Sequence, residues 1–385
     1  MRRLLFDDSH EALRDLARAF YLNECVPHSA RWEKQGVVDR AVWLKAGAAG
    51  LLGPEVPAEY GGAGVDDFRY KVVVTEEMYR TGAVGVGFVT HNNVVGPYLN
   101  RLTTAEQKKR WLPGFVDGTA IGALAISEPG AGSDMARMRT TARRDGDHFV
   151  VNGSKTFITN GELADLVVVA AKTDPEAGHR GISLFVLESG MPGFTRGNRL
   201  SKVGQRSRDT AELFFQDVRV PADNLIGTAG RGFYHLLENL PEERMTAAVI
   251  GVAAMERALE LTTRQVRERE IFGTRLGAMQ ATRFTMAELH TDIAAARAYV
   301  DRALQALVDG ELTAAEAAAV KYWATDLQFS VVDRCLQLFG GYGYIDEYEI
   351  SRLWRDSRVQ RIYAGSNEVM KDIVGRAMDL DGSLR

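Results

Sequence analysis

The spacing of apolar residues divides the chain into three blocks. Residues 1–120 repeat apolar side chains at intervals of three and four, which predicts amphipathic helices joined by connectors such as Gly53-Pro54. Residues 121–225 change to short β-branched and aromatic runs, such as Val167-Val168-Val169, which predict strands. Residues 226–385 return to long helical periodicity. We therefore expect an α+β protein, mainly α, with an N-terminal helical domain, a central β domain and a C-terminal helical domain.

Two dipeptides in the central block are typical of tight hairpins. Asp145-Gly146 and Asn152-Gly153 each lie between strand-like runs, and glycine accepts the positive φ that such turns require. The block is therefore predicted to be antiparallel. Strands and helices do not alternate, and no Gly-x-Gly-x-x-Gly follows a strand, which argues against a doubly wound nucleotide-binding sheet. Gly61-Gly62-Ala63-Gly64 lacks that spacing and is interpreted as a loop.

Three signals mark helix ends in the C-terminal block. Pro241 suits the first turn of a helix, where its missing N–H costs nothing. Thr313 and Glu316 have the spacing of a capping box, and Gly340-Gly341 indicates a helix stop.

Composition excludes several classes of function. The chain has 385 residues and a net charge of −4, which favours neither nucleic acid nor an acidic membrane surface as a partner. Its apolar runs are too short to cross a bilayer, and its acidic N-terminal region does not resemble a signal or transit peptide. Two cysteines, Cys25 and Cys335, are expected to be reduced and unpaired, so a cytoplasmic location is predicted. The seven histidines show no ligand spacing, and no metal is expected.

The stretch most indicative of chemistry is residues 124–134, Leu-Ala-Ile-Ser-Glu-Pro-Gly-Ala-Gly-Ser-Asp. Its glycines let a ring or phosphate approach the backbone and its hydroxyls can bond such a group, although a capped turn would look the same. Together with Lys155-Thr156-Phe157-Ile158-Thr159-Asn160-Gly161, it resembles the signature of the acyl-CoA dehydrogenases. The resemblance implies a C-terminal four-helix bundle, bound FAD, a homotetramer, an acyl-CoA substrate and an electron-transfer flavoprotein as electron acceptor.

The resemblance also assigns cofactor contacts residue by residue. Phe157 takes the place of a tryptophan that many relatives have, which keeps a stacking surface. Arg269 and Phe272 would reach the flavin of a neighbouring subunit. The complete implied set is Leu124, Ile126, Ser127, Gly132, Ser133, Phe157, Ile158, Thr159, Arg269, Phe272, Gln280, Gln337, Gly340, Gly341, Ser366 and Glu368.

One departure from the family concerns the catalytic base. The usual C-terminal Ile-Tyr-Glu-Gly-Thr is replaced here by Ile362-Tyr363-Ala364-Gly365-Ser366, so the carboxylate is missing. Glu243-Arg244 matches the pair at which the long-chain and isovaleryl branches place their glutamate. Glu243 is therefore predicted to be the base, with Glu242 as the alternative. Against this, an acidic residue in a first helical turn after Pro241 would complement the helix dipole, which lowers the pKa of such a carboxyl.

The reaction implied by the resemblance removes an α-proton and a β-hydride from an acyl thioester and leaves the trans-2-enoyl product. The Ala364 amide would bond the thioester carbonyl, and Ser133, Arg244, Tyr363 and Gly365 would border the substrate. A medium-chain, long-chain or branched acyl group is expected. Three alternatives stay open: a dehydrogenase of acyl-carrier-protein thioesters, a flavin oxidase or monooxygenase, and a non-catalytic acyl-thioester binding protein. His91 is interpreted as a structural histidine, although its position resembles a region that holds the substrate tail.

Overall fold

The N-terminal domain is built from helices. The computed structural model describes residues 3–380, and its first helices are α1 Asp8–Phe20, α2 Ser29–Gln35, α3 Arg40–Ala48, α4 Phe68–Arg80, α5 Gly96–Arg101 and α6 Ala105–Asp117. Capping boxes begin two of them, at Asp7 for α1 and at Thr104 for α6. A π-helical turn, Thr90–Val95, leads directly into α5. π-Helical turns are rare in proteins overall but common at functional sites, so this junction is a candidate position for a functional site.

The central domain is an eight-stranded sheet. Its strands are β1 Gly122–Ala125, β2 Thr141–Asp145, β3 His148–Thr159, β4 Leu166–Lys172, β5 Ile182–Glu188, β6 Phe194–Arg199, β7 Thr210–Pro221 and β8 Leu225–Ile226. The order is β6-β7-β3-β2-β4-β5-β8, with β1 added beside β4. The prediction of antiparallel pairing is confirmed for most neighbours, but β1 and β2 both pair with β4 in parallel.

The two predicted hairpin turns have different outcomes. Asp145-Gly146 does end a hairpin, in which Asp145 pairs with His148 and Gly146 has a φ of 63°. The prediction for Asn152-Gly153 is wrong, because β3 continues through both residues and shifts its register against β7 there. A Cβ on Gly153 would lie 2.5 Å from Thr140 Oγ1, so glycine serves a close approach of two strands rather than a turn.

The C-terminal domain consists of long helices. They are α7 Gly232–Glu268, α8 Gln280–Val308, α9 Ala314–Gln337, α10 Glu349–Ser357 and α11 Asn367–Ala377, with a small hairpin, β9 Glu270–Ile271 and β10 Thr274–Arg275, between α7 and α8. The predicted capping box is confirmed, since the Thr313 hydroxyl accepts from the Glu316 amide and the Glu316 carboxylate accepts from the Thr313 amide. The predicted stop is also confirmed: α9 ends at Gln337, and Gly340 has a φ of 59°.

The start of α7 differs from the prediction. This helix begins at Gly232, so Pro241 lies in its interior and not in its first turn. A proline in the interior leaves the carbonyl four residues earlier, that of Leu237, without its usual N–H donor. Glu243 consequently lies three turns inside the helix, where the positive end of the dipole no longer acts on it.

Helix α7 joins the three domains into one body. Ile250, Ala253 and Ala254 pack into the core of the N-terminal helices, while Met245 and Val249 pack among α8, α9 and α10. A helix that is apolar on opposite faces is buried on both, and α7 has this pattern over its middle turns. Cys25 and Cys335 are buried and unpaired, as expected. Within residues 3–380, no helix is long and apolar enough to cross a membrane, and no cluster of three metal-ligating side chains forms.

Candidate active site

A buried ion pair shapes the glycine-rich loop after β1. The Lys155 ammonium, 1% exposed, donates to Glu128 Oε1 at 2.8 Å and to the Ile126 carbonyl at 3.0 Å. Glu128 also accepts from the backbone amides of Arg139 and Thr140, so both arms of the loop are tied to one carboxylate. Burial lowers the pKa of Lys155 to about 8, and the Glu128 carboxylate opposes that shift.

Phe157 lies beside this loop in an unusual conformation. It has a φ of 61°, which is costly for a residue with a bulky side chain, and its ring is 70% exposed. The amide of Thr156 donates to the Ser127 carbonyl at 2.9 Å, which brings Phe157 next to the loop. A strained, solvent-exposed aromatic on a rigid strand is a feature that a bound planar group would explain.

The other predicted cofactor contacts near this loop are placed less uniformly. Leu124, Ile126, Ser127 and Thr159 are half-buried, while Gly132 and Ser133 are exposed and open to a ligand. Ile158 is 2% exposed and packs in the core of the sheet, so only its backbone remains available to a cofactor.

A second group of predicted cofactor residues lies on the bundle. The Arg269 guanidinium stacks over the Tyr342 ring at 5.4 Å, which joins the end of α7 to the helical turn Gly340–Tyr344. Phe272, at the tip of the β9–β10 hairpin, is 96% exposed with a φ of 51°. The remaining members that lie exposed in this group are Gln280, Gln337, Gly340 and Gly341. Within residues 3–380, no hydrogen bond, ion pair or ring contact joins this group to Phe157.

Glu243 lies half-buried on α7, facing α5. Tyr98 Oη donates a hydrogen bond to its Oε1 across 3.3 Å. Loss of solvation raises the pKa of Glu243 to about 7; Tyr98 and Arg244 act in the opposite direction, and Glu242 adds to the rise. A carboxyl with such a pKa is partly ionised at neutral pH and suited to take up a proton.

Glu242 has different surroundings. Its Oε1 accepts from Arg101 Nη2 at 2.6 Å, and its Oε2 lies 3.6 Å from the ammonium of Lys71, which also pairs with Glu55. Two cations therefore hold this carboxylate. Among the residues that the structure describes, the two adjacent glutamates have contrasting sites: Glu242 is neutralised by ion pairs, and Glu243 has one neutral donor, Tyr98.

The altered Tyr-Ala-Gly segment forms a turn of positive φ. Ala364 has a φ of 53° and Gly365 one of 86°, where an added Cβ would lie 2.4 Å from Met370 Cε. Lys321, buried on α9, donates to the Gly365 carbonyl at 2.7 Å and to Asn367 Oδ1 at 2.9 Å. Burial lowers the pKa of Lys321 to about 8. No residue between positions 3 and 380 accepts a hydrogen bond from the Ala364 amide, which leaves that donor available.

Arg244 connects the two halves of this site. Its guanidinium is buried and donates to the Ala314 carbonyl at 3.3 Å, so Arg244 is not a solvated surface charge. It lies close enough to Lys321 for its charge to contribute to the lowered pKa of that ammonium. The charge of Arg244 therefore acts on both Glu243 and Lys321, and Lys321 in turn holds the Gly365 carbonyl of the turn at Ala364.

Tyr363 and the residues after the turn have mainly local partners. The Tyr363 hydroxyl donates to Gln360 Oε1 at 2.5 Å, and Gln360 in turn donates to Tyr79 Oη, so this side chain is directed into the protein. Ser366 caps α11 by accepting from the Val369 amide, and Glu368 is exposed.

His91 is a structural residue, as interpreted from sequence. Its Nδ1 accepts from the Gly122 amide at 3.0 Å, so Nε2 carries the proton and donates to the Phe115 carbonyl at 2.9 Å. The ring also stacks on Phe115 at 3.6 Å. Burial lowers its pKa to about 3, which keeps the imidazole neutral.

Sequence reasoning missed three positions of this candidate site. Tyr98 touches Glu243, Lys321 holds the turn at Ala364, and Glu128 shapes the glycine-rich loop. The partners of Tyr98 and Lys321 lie 145 and 44 residues away in the chain, so no local pattern marks them. Glu128 lies inside the recognised motif, and its spacing to Lys155 carried no signal by itself.

The chain combines a helical domain, a mixed sheet and a helical bundle. It also has a half-buried carboxylate, and a strained aromatic beside a glycine-rich loop. These features are typical of a cofactor-dependent enzyme. Three domain profiles of the acyl-CoA dehydrogenases match the chain in order: the N-terminal domain at residues 7–119, the middle domain at 123–218 and the C-terminal domain at 230–379. The chain belongs to the acyl-CoA dehydrogenase family. It is an oxidoreductase, and FAD is its cofactor, as predicted.

Individual relatives support this assignment over nearly the whole chain. The long-chain specific acyl-CoA dehydrogenase of Sus scrofa mitochondria is 45% identical, with 97% of this chain and 87% of that protein covered. The isovaleryl-CoA dehydrogenase of Pongo abelii mitochondria is 38% identical, covering 89% and 81%. The acyl-CoA dehydrogenase structure from Geobacillus kaustophilus has a TM-score of 0.96 at 47% identity and covers 98% and 100%. A glutaryl-CoA dehydrogenase from Mycobacterium smegmatis, solved with FADH2, has a TM-score of 0.91 at 26% identity, covering 99% and 97%.

Proposed function

We propose that this chain dehydrogenates an acyl-CoA to its trans-2-enoyl thioester with Glu243 as the base that removes the α-proton. The observation that carries the proposal is the contrast between the two adjacent glutamates. Glu242 is held by Arg101 and Lys71, whereas Glu243 has lost solvation and has no cation within hydrogen-bond reach among residues 3–380. A carboxylate that must accept a proton from carbon needs a raised pKa, and burial without a counter-charge raises that pKa.

The turn at Ala364 supplies the second requirement of this reaction. Removal of the α-proton leaves negative charge on the thioester oxygen, and a fixed amide donor stabilises that charge. The Ala364 N–H has no acceptor among residues 3–380, and Lys321 holds its turn from the carbonyl side. Because the donor belongs to the backbone, loss of the family's glutamate side chain at this position leaves it intact.

The β domain offers the residues that would hold the cofactor. Phe157 presents an exposed ring beside Ser127, and Gly132 and Ser133 leave the loop open to a ligand. FAD supplies, when bound, the acceptor for the hydride that leaves the β-carbon. The chain's own contribution at this place is to orient the ring system and to exclude water from it.

Residues on the bundle support a site shared between subunits. Phe272 is almost fully exposed on a hairpin tip, and the Arg269 guanidinium lies over Tyr342. Among residues 3–380, no hydrogen bond, ion pair or ring contact joins Arg269 or Phe272 to the loop that bears Ser127. We infer that this group completes the cofactor site of a neighbouring copy, which requires a homotetramer or another closed assembly. An electron-transfer flavoprotein as acceptor, a cytoplasmic location and a medium-chain, long-chain or branched acyl group complete the proposal; similarity to the long-chain relative favours a long chain.

The test is the absorbance of the bound flavin without oxygen, measured as acyl-CoA thioesters of increasing chain length are added. Wild type and Glu242→Gln are expected to lose the oxidised flavin band, while Glu243→Gln keeps it and still binds the thioester. The best substrate in the series defines the acyl group. Reduction of Glu243→Gln at the wild-type rate would show that the base is another residue. If wild type binds FAD and reacts with no acyl-CoA but does react with an acyl-carrier-protein thioester, the proposed substrate is refuted. If it reacts with neither thioester, the proposed catalysis is refuted.

A further inference from the structure

A line of polar side chains leads from the protein surface to Glu243. Arg101 Nη1 donates to Asn239 Oδ1 at 3.3 Å. Asn239 lies near the Tyr98 hydroxyl and opposes the burial that raises the pKa of this tyrosine. Tyr98 Oη donates to Glu243 Oε1 across 3.3 Å. Tyr98 is fully buried and Asn239 is 4% exposed, so the middle of this line is shielded from water. Asn239 and Glu243 lie one turn apart on the same face of α7, and Tyr98 bridges them from α5.

The direction of these hydrogen bonds is determined by chemistry. Arginine can only donate, so Asn239 presents its oxygen to Arg101 and its NH2 group to the tyrosine. The Tyr98 oxygen therefore faces a donor group of Asn239, and its proton goes to Glu243. The donors in the line point toward the carboxylate, and their dipoles add in the same sense. Such a line stabilises the ionised form of the acid at its end.

We propose that Tyr98 is a positioning residue for Glu243, which holds the carboxylate toward the substrate and keeps it ionised near neutral pH. The proposal rests on Glu243 being the base. Without Tyr98, the half-buried carboxylate would keep Arg244 as the group that favours its ionised form, against burial and the charge of Glu242. Burial would then act against a smaller opposing force, and the acid would be neutral over more of the useful pH range.

The other charged groups near Glu243 lie on α7 and on the elements packed against it. On α7 itself, Glu242 raises and Arg244 lowers the pKa of Glu243. Arg101 on α5 and Lys71 on α4 both lie against Glu242 rather than Glu243. Glu55, whose own pKa is raised by burial, pairs with Lys71. Among these neighbours within residues 3–380, Tyr98 makes the hydrogen bond to Glu243 and carries no charge.

The experiment is the pH dependence of kcat/KM for the FAD-loaded enzyme, compared between wild type and Tyr98→Phe. The acid limb is expected to move up by about one pH unit in Tyr98→Phe, since a hydrogen bond to a charged group is worth about that much. The rate at pH 6 should therefore fall about tenfold, while the plateau at high pH changes much less. Asn239→Leu, which breaks the line one step further out, should move the limb in the same direction by less.

Two controls separate this effect from general damage. Tyr21→Phe removes the hydroxyl of another fully buried tyrosine, which has no hydrogen-bond partner within residues 3–380, and should leave the profile unchanged. Glu55→Gln removes the second buried acid in the corner and should also leave the acid limb in place. If the acid limb moves in Glu55→Gln but not in Tyr98→Phe, the limb reports the ionisation of Glu55 rather than Glu243, and the proposal is overturned.

The outcomes distinguish this inference from the proposed function. If Tyr98→Phe and Asn239→Leu both reproduce the wild-type profile while Glu243→Gln abolishes flavin reduction, the role of Tyr98 is refuted and the base stands. If Glu243→Gln reduces its flavin normally, the proposed base is refuted first. Should Tyr98→Phe fold poorly, Asn239→Leu carries the test alone, and an unchanged acid limb in that variant overturns the proposal.

Discussion

The buried ion pair between Lys155 and Glu128 is the interaction whose loss should have the largest consequence outside the catalytic residues. We consider the variant Lys155→Met, which keeps most of the volume of the side chain and removes the ammonium. Glu128, 7% exposed, would lose its counter-charge and keep the amides of Arg139 and Thr140 as donors. The Ile126 carbonyl would lose its donor at the same time.

The magnitude follows from these contacts. Removing one partner of a buried ion pair costs about 3–5 kcal/mol, because an uncompensated charge stays buried. The two remaining amides solvate part of that charge, and Glu128 can take up a proton, so we expect the low end of the range, about 3 kcal/mol. At about 2 °C for each kcal/mol in a chain of this size, the unfolding midpoint should fall by roughly 6 °C. FAD retention should also fall, since the loop beside Phe157 loses its anchor.

The assay is thermal unfolding followed by circular dichroism, in the presence and absence of added FAD, with FAD content measured after gel filtration. Glu128→Gln is the matched variant, and it should cost less because Lys155, whose pKa burial already lowers to about 8, can become neutral more easily. The double variant should then be more stable than Lys155→Met alone. An unfolding midpoint of Lys155→Met within about 1 °C of wild type, with normal FAD content, would refute the reasoning.

Three further predictions follow from single positions. The folded-state pKa of Glu243 is raised to about 7 from 4.5, so its contribution to stability is present below pH 4.5 and is lost as the pH rises through 7. Glu243→Gln should therefore raise the unfolding free energy at pH 8 by up to about 3 kcal/mol and change it little at pH 4. A difference in unfolding free energy that does not depend on pH would contradict this sign. His91→Leu should lower the unfolding free energy by about 3 kcal/mol, because it leaves the Gly122 amide and the Phe115 carbonyl without partners. The pH optimum of the activity should not move, and a shifted acid limb would show that His91 takes part in catalysis. Phe157→Ala should change the unfolding free energy of the FAD-free protein by less than about 1 kcal/mol, because the ring is already exposed. FAD should dissociate from this variant at least about tenfold faster than from wild type. Equal dissociation rates in the two proteins would show that Phe157 does not belong to the cofactor site.

The sequence alone was sufficient for features that depend on short stretches of chain. The change from helical to strand periodicity near residue 121, the hairpin at Asp145-Gly146 and the capping box of Thr313 with Glu316 are all confirmed. Each depends on residues a few positions apart, whose backbone preferences act before any tertiary contact forms. The glycine-rich motif likewise identified the family and its cofactor.

Only the tertiary structure decided the features that depend on distant partners. Local rules place Pro241 in a first turn and Asn152-Gly153 in a hairpin, but packing along α7 and the close approach of Gly153 to Thr140 override both. The difference between Glu242 and Glu243 has the same origin, because neighbours in sequence that differ by one helical step face different elements. Whether a carboxylate meets two cations or a single tyrosine is determined by which helices surround it, and a linear sequence does not contain that information in any local pattern.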